Sequence, residues 1–217
     1  MANIINKGDL MKTYKIYLIR HAITAGNLKG QYIGTTDLPI IPEAVSMLKA
    51  MKEKYVYPEV TEYFTSPLLR CRQTLAALYP DAKPIIVPEL KEYDFGDFEQ
   101  KTPNDLKNDE IYNKWINGTE GEDPAPPNGE SNSQFINRIC QCFNTIVEHM
   151  MRDSVTEAVI CTHGGVISSI LATYGLPQRS IAEWECLYGK GYCITIQPSI
   201  WMRGGMFEVS GYFPFEK

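Results

Sequence analysis

The 217-residue chain is 44% hydrophobic and 22% charged, with a formal net charge of −5. That suits a globular fold with a sizeable core, and the acidic balance without a long Lys/Arg run argues against nucleic acid or an anionic membrane as partner. No stretch has the form of a signal peptide or membrane span: Ile16–Ile19 runs straight into Arg20 and His21, and His163 and a glycine pair interrupt 157–172. The expectation is a cytoplasmic protein. Its six cysteines (Cys71, Cys140, Cys142, Cys161, Cys186 and Cys193) include no C-x-x-C pair and read as reduced thiols. The three histidines, His21, His149 and His163, are too few to suggest a zinc site.

In chain order, residues 1–12 read as a leader or flexible extension, with Met11 as an alternative start, and 13–217 as one domain. Tyr14–Ile19 reads as a short buried strand. Pro42 opens a helix to about Tyr55, with Val45, Leu48 and Met51 at helical spacing. Glu62–Thr65 is a strand, Ser66-Pro67 starts a helix that stops near Pro80, and Ile85–Val87 is an edge strand between prolines. Residues 91–130 break this rhythm with Gly, Pro, Asp and Asn; a weak helix spans Pro103–Trp115, and about 97–130 reads as a lid. Ser131 caps a long helix whose apolar face is Phe135, Ile139, Cys142, Phe143, Ile146, Val147 and Met150. Ala158–Thr162 is a buried strand, Gly164–Tyr174 a helix with Gly175 near its end, and Tyr192–Gln197 and Met206–Ser210 are late strands. The segment Pro198–Gly205 between them reads equally as an interface or a hairpin. Alternating strands and helices predict a three-layer α/β/α sandwich around a mostly parallel sheet.

In such sheets ligands bind beyond the carboxyl ends of the strands. Three strand ends carry reactive residues: Arg20-His21, Ser66-Pro67 with Arg70 a turn later, and His163 followed by Gly164-Gly165. Together these suit phosphoryl transfer. Arginine forks bind phosphate oxygens, a neutral imidazole is a nucleophile, and the N–H groups of a helix start favour an anion. A carboxylic acid must protonate the departing oxygen and then activate water. Each residue alone has a plainer structural reading; the joint arrangement carries the argument. His149, among Glu148 and Met150 on a helix, reads as structural.

The motifs in order resemble the histidine phosphatase superfamily, which includes cofactor-dependent phosphoglycerate mutases and alpha-ribazole phosphatases. They are Leu18-Ile19-Arg20-His21-Ala22-Ile23-Thr24-Ala25-Gly26-Asn27, then Gly34-Thr35-Thr36-Asp37-Leu38-Pro39, then Ser66-Pro67-Leu68-Leu69-Arg70-Cys71-Arg72-Gln73-Thr74, then Leu90-Lys91-Glu92 to Glu99, then Thr162-His163-Gly164-Gly165. The resemblance covers most of 14–175. It implies that His21 is the phosphorylated nucleophile, that Arg20, Arg70 and His163 bind the phosphoryl oxygens, and that Glu92 is the proton donor and acceptor. Asn27, Thr24, Gly34 and Gly164 are implied as further substrate contacts, with no metal and no cofactor. Ala22, Ile23 and Gln100 depart from the family pattern, which most often has Gly, Glu and Gly there.

The stretch from Glu92 to His163 is shorter than such mutases usually carry, and Thr-His-Gly-Gly resembles the phosphatase branch. The expected activity is therefore hydrolysis of a small-molecule phosphate ester, with mutase-type transfer as the alternative. A catalytically silent phosphate-binding protein is the rival of another class; it would lack the nucleophile or the acid, and both His21 and Glu92 are present. Tyr32, Tyr93, Phe95, Phe98, Tyr112 and Trp115 either line an aromatic entrance or pack the lid. The sequence selects neither the substrate nor the oligomeric state.

Overall fold

The computed structural model describes residues 12–118 and 121–217. The expected leader lies outside the described residues except for Lys12, whose ammonium donates to Ser154 Oγ at 3.1 Å.

The first strand, β1 (Tyr14–Arg20), is buried on both faces. Ile16 and Leu18 enter one core, Tyr17 and Ile19 the other, as a period of two requires. A one-turn helix follows, α1 (Ala25–Leu28), too short to leave a periodic signal. Next come α2 (Pro42–Lys54), begun by Pro42 as expected, and β2 (Tyr55–Val56). The inward face of α2 is Ala44 and Leu48, whereas Val45 is exposed. After β3 (Glu62–Thr65), the helix α3 (Leu69–Leu78) begins three residues later than Ser66, which is turned inward instead. The strand β4 (Ile85–Ile86) is the predicted edge.

The weak helix expected over Pro103–Trp115 is two helices, α4 (Pro103–Leu106) and α5 (Glu110–Ile116). Asp109 divides them by accepting from the Ile111 and Tyr112 N–H groups at 2.9 Å each, which starts a new helix. The long α6 (Asn132–Arg152) carries the Ser131 cap, closed into a capping box by Gln134. Then follow β5 (Glu157–Thr162), α7 (Gly164–Tyr174) and β6 (Gly175–Leu176). Gly175 is not a left-handed cap; its φ is −77°, and a Cβ there would meet the Leu171 carbonyl oxygen at 2.5 Å. The chain ends with β7 (Gly191–Ile196), α8 (Pro198–Gly204), β8 (Phe207–Phe213) and β9 (Phe215–Glu216). The segment 198–204 is thus helical, with Gly205 at φ 64° as its left-handed cap.

Among the described residues the main sheet has seven strands in the order β4-β3-β5-β1-β7-β8-β6. β4, β3, β5 and β1 pair in parallel; β7 alone runs against its neighbours. One face packs α6 and α7, the other α2 and α3. This is the three-layer α/β/α sandwich the pattern predicts, with its antiparallel strand outside the parallel block that carries the reactive strand ends. A second, two-stranded sheet pairs β2 with β9.

Candidate active site

The sheet register assembles the site. β1 and β5 run parallel with Arg20 opposite Thr162, so the next residues, His21 and His163, emerge side by side. The His21 N–H donates to the Thr162 carbonyl at 2.8 Å, and the Ser66 N–H to the Cys161 carbonyl at 3.0 Å. Three strand ends are thereby locked together. The two imidazole centroids lie 5.2 Å apart at 62°, nearly edge to face.

The hydrogen bonds fix which nitrogen of each ring is protonated. His21 Nδ1 lies 2.7 Å from the Ala22 carbonyl, which can only accept, so Nδ1 carries the proton and Nε2 keeps its lone pair. Arg70 Nε donates to His163 Nδ1 at 3.3 Å, so His163 Nε2 is the N–H, and it lies 2.8 Å from Ser66 Oγ. Both histidines are buried. Burial first, then the Arg70 charge, holds each pKa well below the ordinary histidine value, so both are neutral near neutral pH.

Arg70 is completely buried at the start of α3. Its guanidinium donates to the Thr36 carbonyl at 2.8 Å and the Gly34 carbonyl at 2.7 Å, as well as to His163. Burial lowers its pKa, opposed by nearby groups including Glu92, Asp37 and Glu99. Asp37 also accepts from the Leu69 N–H at 2.6 Å, at the first turn of α3. Arg20 is held differently. One terminal nitrogen donates to the Cys186 carbonyl at 2.7 Å, and the guanidinium stacks 4.0 Å above the Tyr188 ring. Among the described residues its buried Nε has no hydrogen-bond partner.

Glu92 is half-buried across the start of α7. Its Oε2 accepts from the Gly165 N–H at 3.0 Å and its Oε1 from the Tyr93 N–H at 3.0 Å. The N–H of Gly165 in the first turn of α7 is thus already engaged by the Glu92 side chain. The glycine pair has a steric reason: a Cβ on Gly165 would meet Glu92 Oε1 at 2.5 Å, and one on Gly164 would meet Arg20 Nε at 3.2 Å. A cleft of about 210 Å³ lies outside Glu92, lined by Thr35, Lys91, Asp94 and Gly129 among others.

The four implied substrate contacts are distributed unequally. Thr24 is fully buried and forms the capping box of α1 with Asn27, its hydroxyl donating to Asn27 Oδ1 at 2.9 Å. Gly34 has both peptide groups engaged: its N–H donates to Glu99 at 2.9 Å, and its carbonyl accepts from Arg70. Gly164 flanks Arg20. Five residues outside the predicted set also build the site: Ser66, Thr74, Glu99, Arg138 and Tyr188. Thr74 accepts from the Ala22 N–H at 2.8 Å and so ties down the peptide that joins Ala22 to His21. Ser66, Thr74 and Glu99 lie inside the recognised motifs; Arg138 and Tyr188 carry no local signal.

The aromatic residues pack on one another and into the core. Phe98 and Tyr112 are buried with Leu106 in a small core of their own, against Tyr32, Phe95 and Trp115, while Tyr93 packs into the main core with Phe135. His149 lies elsewhere, its Nε2 2.8 Å from Glu62 on β3. Beside it, a larger cleft of about 650 Å³ between α6 and β4 contains neither of the paired imidazoles. Among the described residues no group of three or more His, Cys, Asp or Glu is placed to hold a metal ion, and no helix is long and apolar enough to cross a membrane.

Paired neutral imidazoles thus lie at the carboxyl edge of a parallel sheet, flanked by two arginines and a glutamate side chain. Residues 16–201 match the model of the histidine phosphatase superfamily, branch 1, and the chain belongs to that superfamily of enzymes. It is similar to an adenosylcobalamin/alpha-ribazole phosphatase of Salmonella typhimurium, 27% identical over 190 residues that cover 84% of this chain and 90% of the relative. Its fold matches the crystal structure of an alpha-ribazole phosphatase from Shigella flexneri, with a TM-score of 0.74 at 23% identity over 91% of this chain and 95% of the other. It also matches a phosphoglycerate mutase from Bacillus anthracis, with a TM-score of 0.76 at 16% identity over 94% and 95%.

Proposed function

We propose that this protein hydrolyses a small-molecule phosphate monoester through a phosphohistidine on His21. The observation that carries the reading is the Nδ1–H bond from His21 to Ala22, which leaves Nε2 unprotonated in a site with two cations. Nε2 attacks phosphorus as the P–O bond to the leaving group breaks. Glu92, as the carboxylic acid, gives its proton to the leaving oxygen. The resulting carboxylate then takes a proton from water, whose oxygen attacks the phosphohistidine, releasing inorganic phosphate and neutral His21. Arg20, Arg70 and the His163 side chain stabilise the phosphoryl oxygens, and the unpartnered Nε of Arg20 gains an acceptor there. Asn27 and the Gly34–Asp37 loop border the ester. No metal takes part. The reading places the enzyme in the cytoplasm as one domain over 13–217, with residues 97–130 as its lid.

Alpha-ribazole phosphate leads the substrate candidates, because relatives carry that name; a broad phosphomonoesterase is the next. The test is a panel of esters that includes alpha-ribazole phosphate, phosphoglycerates and an activated aryl phosphate, assayed in chelator. Phosphate release is expected in the native protein, and His21→Ala should lose on the order of 10⁴-fold or more. Unchanged turnover in His21→Ala would overturn the assignment. Isomerised phosphoglycerate without phosphate release would instead support a mutase.

A further inference from the structure

We infer that Glu99 is a positioning residue for the phosphate site: its carboxylate holds the loop that holds Arg70. The inference rests on the phosphate-binding role proposed for Arg70. Glu99 lies just beyond the short Gly96–Phe98 turn, and its two oxygens are wrapped by the 34–36 loop. Oε1 accepts from the N–H groups of Gly34 and Thr35 at 2.9 Å each, and from that of Phe95 at 3.3 Å. Oε2 accepts from the Gly34 N–H at 3.1 Å, the Thr36 N–H at 3.2 Å and the Thr36 hydroxyl at 2.5 Å. Successive N–H groups converging on one anion form a nest.

The opposite side of the same loop faces Arg70. The carbonyls of Gly34 and Thr36, whose N–H groups point to Glu99, accept from the Arg70 guanidinium. The Ile33–Gly34 and Gly34–Thr35 peptide units lie between a carboxylate and a buried guanidinium: their N–H groups face Glu99, and their carbonyls accept from Arg70 at 3.4 Å (Ile33) and 2.7 Å (Gly34). Each charge polarises the peptides in the sense that strengthens the other's hydrogen bonds. Space is tight as well: a Cβ on Gly34 would fall 1.8 Å from the Tyr93 carbonyl oxygen and 2.6 Å from Glu99 Oε1. The loop is thus pressed against the segment that bears Glu92, so Glu99 sets the spacing between Arg70 and the Glu92 loop.

Glutamine does not replace this group. Whichever way its amide is turned, an NH₂ faces backbone N–H donors. The experiment is a double-mutant cycle of Glu99→Gln and Arg70→Ala, read by calorimetric binding of inorganic phosphate and by the kinetics of the aryl phosphate. In the Arg70 background, Glu99→Gln should weaken phosphate binding about tenfold or more, the scale of losing charge-assisted hydrogen bonds. KM should rise in parallel, with kcat changing by a smaller factor. In the Arg70→Ala background the same substitution should add less than about twofold, because there is no guanidinium left to position. Equal losses in both backgrounds, or native phosphate affinity in Glu99→Gln, overturn the inference. Should Glu99→Gln not fold, Thr36→Val removes only the hydroxyl donor; an approximately threefold loss of phosphate affinity, on the scale of one hydrogen bond, supports the inference and no loss overturns it. A native protein that binds phosphate with this coupling but turns over no ester keeps the Glu99 inference and defeats the hydrolase reading. Turnover with an additive cycle does the reverse.

Discussion

The floor of the site and the excursion above it are built by opposite means. The floor is the carboxyl edge of β3, β5 and β1, where ladder hydrogen bonds fix the backbone and the side chains follow from the register. The described residues of the excursion over 91–130 form only short helical pieces, and charged side chains bonded to backbone do the holding. Arg138 on α6 donates to the carbonyls of Glu89 at 2.6 Å and Lys91 at 3.0 Å and grips Glu130, which accepts from the Asp94 N–H at 2.9 Å. Asp123 accepts from Ser131, and Glu99 from the 34–36 loop. The proposed nucleophile, His21, thus sits on the part fixed by the sheet and the proposed acid, Glu92, on the part tied by side chains. Substitution in the floor should change chemistry, and substitution in the excursion should change geometry.

The largest effect that separates the two is at Glu92. In Glu92→Gln the amide keeps one acceptor for Gly165 or Tyr93 but has no proton to give. Hydrolysis of an alkyl phosphate, whose leaving oxygen needs that proton, should fall about 10²- to 10³-fold. An activated aryl phosphate should fall by about tenfold or less. A rate comparison across esters of graded leaving-group pKa checks it, and equal losses would show that Glu92 only supports the loop.

The same division explains what the sequence disclosed. His21, Arg70 and His163 were legible because each directly follows, or lies one turn beyond, a short apolar strand, and a parallel sheet brings such ends together. The long α6 was legible from its cap and its apolar stripe. Arg138 was not: it is a half-buried arginine on that helix, and its partners are carbonyls some 46 to 49 residues away. Tyr188 was hidden likewise, since it stacks on Arg20 from a loop before β7 that has no periodicity. α1 and α8 were missed because four and seven residues hold too few turns to show a pattern. Long-range side-chain bonds to backbone leave no local trace, and the excursion depends on them.

A smaller effect tests the floor through pH. His21 and His163 have folded-state pKa values held below the unfolded value by burial and by Arg70. The unfolded chain therefore binds more protons in the window below about pH 6.5. The stability these groups contribute is fully present above that pH and is lost as pH falls toward their folded values. The slope is at most about 1.4 kcal/mol per pH unit for each histidine. Denaturant unfolding between pH 7.5 and 5 should show this loss, and His21→Ala should reduce the slope by up to about half. A slope unchanged in His21→Ala would mean that this imidazole is not the group excluded from protonation.

The smallest effect belongs to the excursion. Gln100 has φ 63°, the left-handed region, at the position where the family most often has glycine. Its exposed side chain bears on nothing that explains the conformation; the backbone does. The Gln100 N–H donates to the Tyr32 carbonyl at 2.8 Å, and its own carbonyl accepts from the Gln31 side chain. These bonds tie the end of the acidic motif to the segment before Gly34 and impose the turn. Gln100→Gly removes the Cβ clash of a left-handed residue, roughly 1–2 kcal/mol, against about 0.5–1 kcal/mol for the greater freedom of glycine in the unfolded chain. Thermal unfolding should therefore show a gain of up to about 1.5 kcal/mol, a rise of up to about 3–6 °C in Tm for a chain of this length. KM and kcat should stay at native values, because the backbone bonds remain. A fall in Tm would mean that the glutamine side chain, and not the main chain, closes this turn.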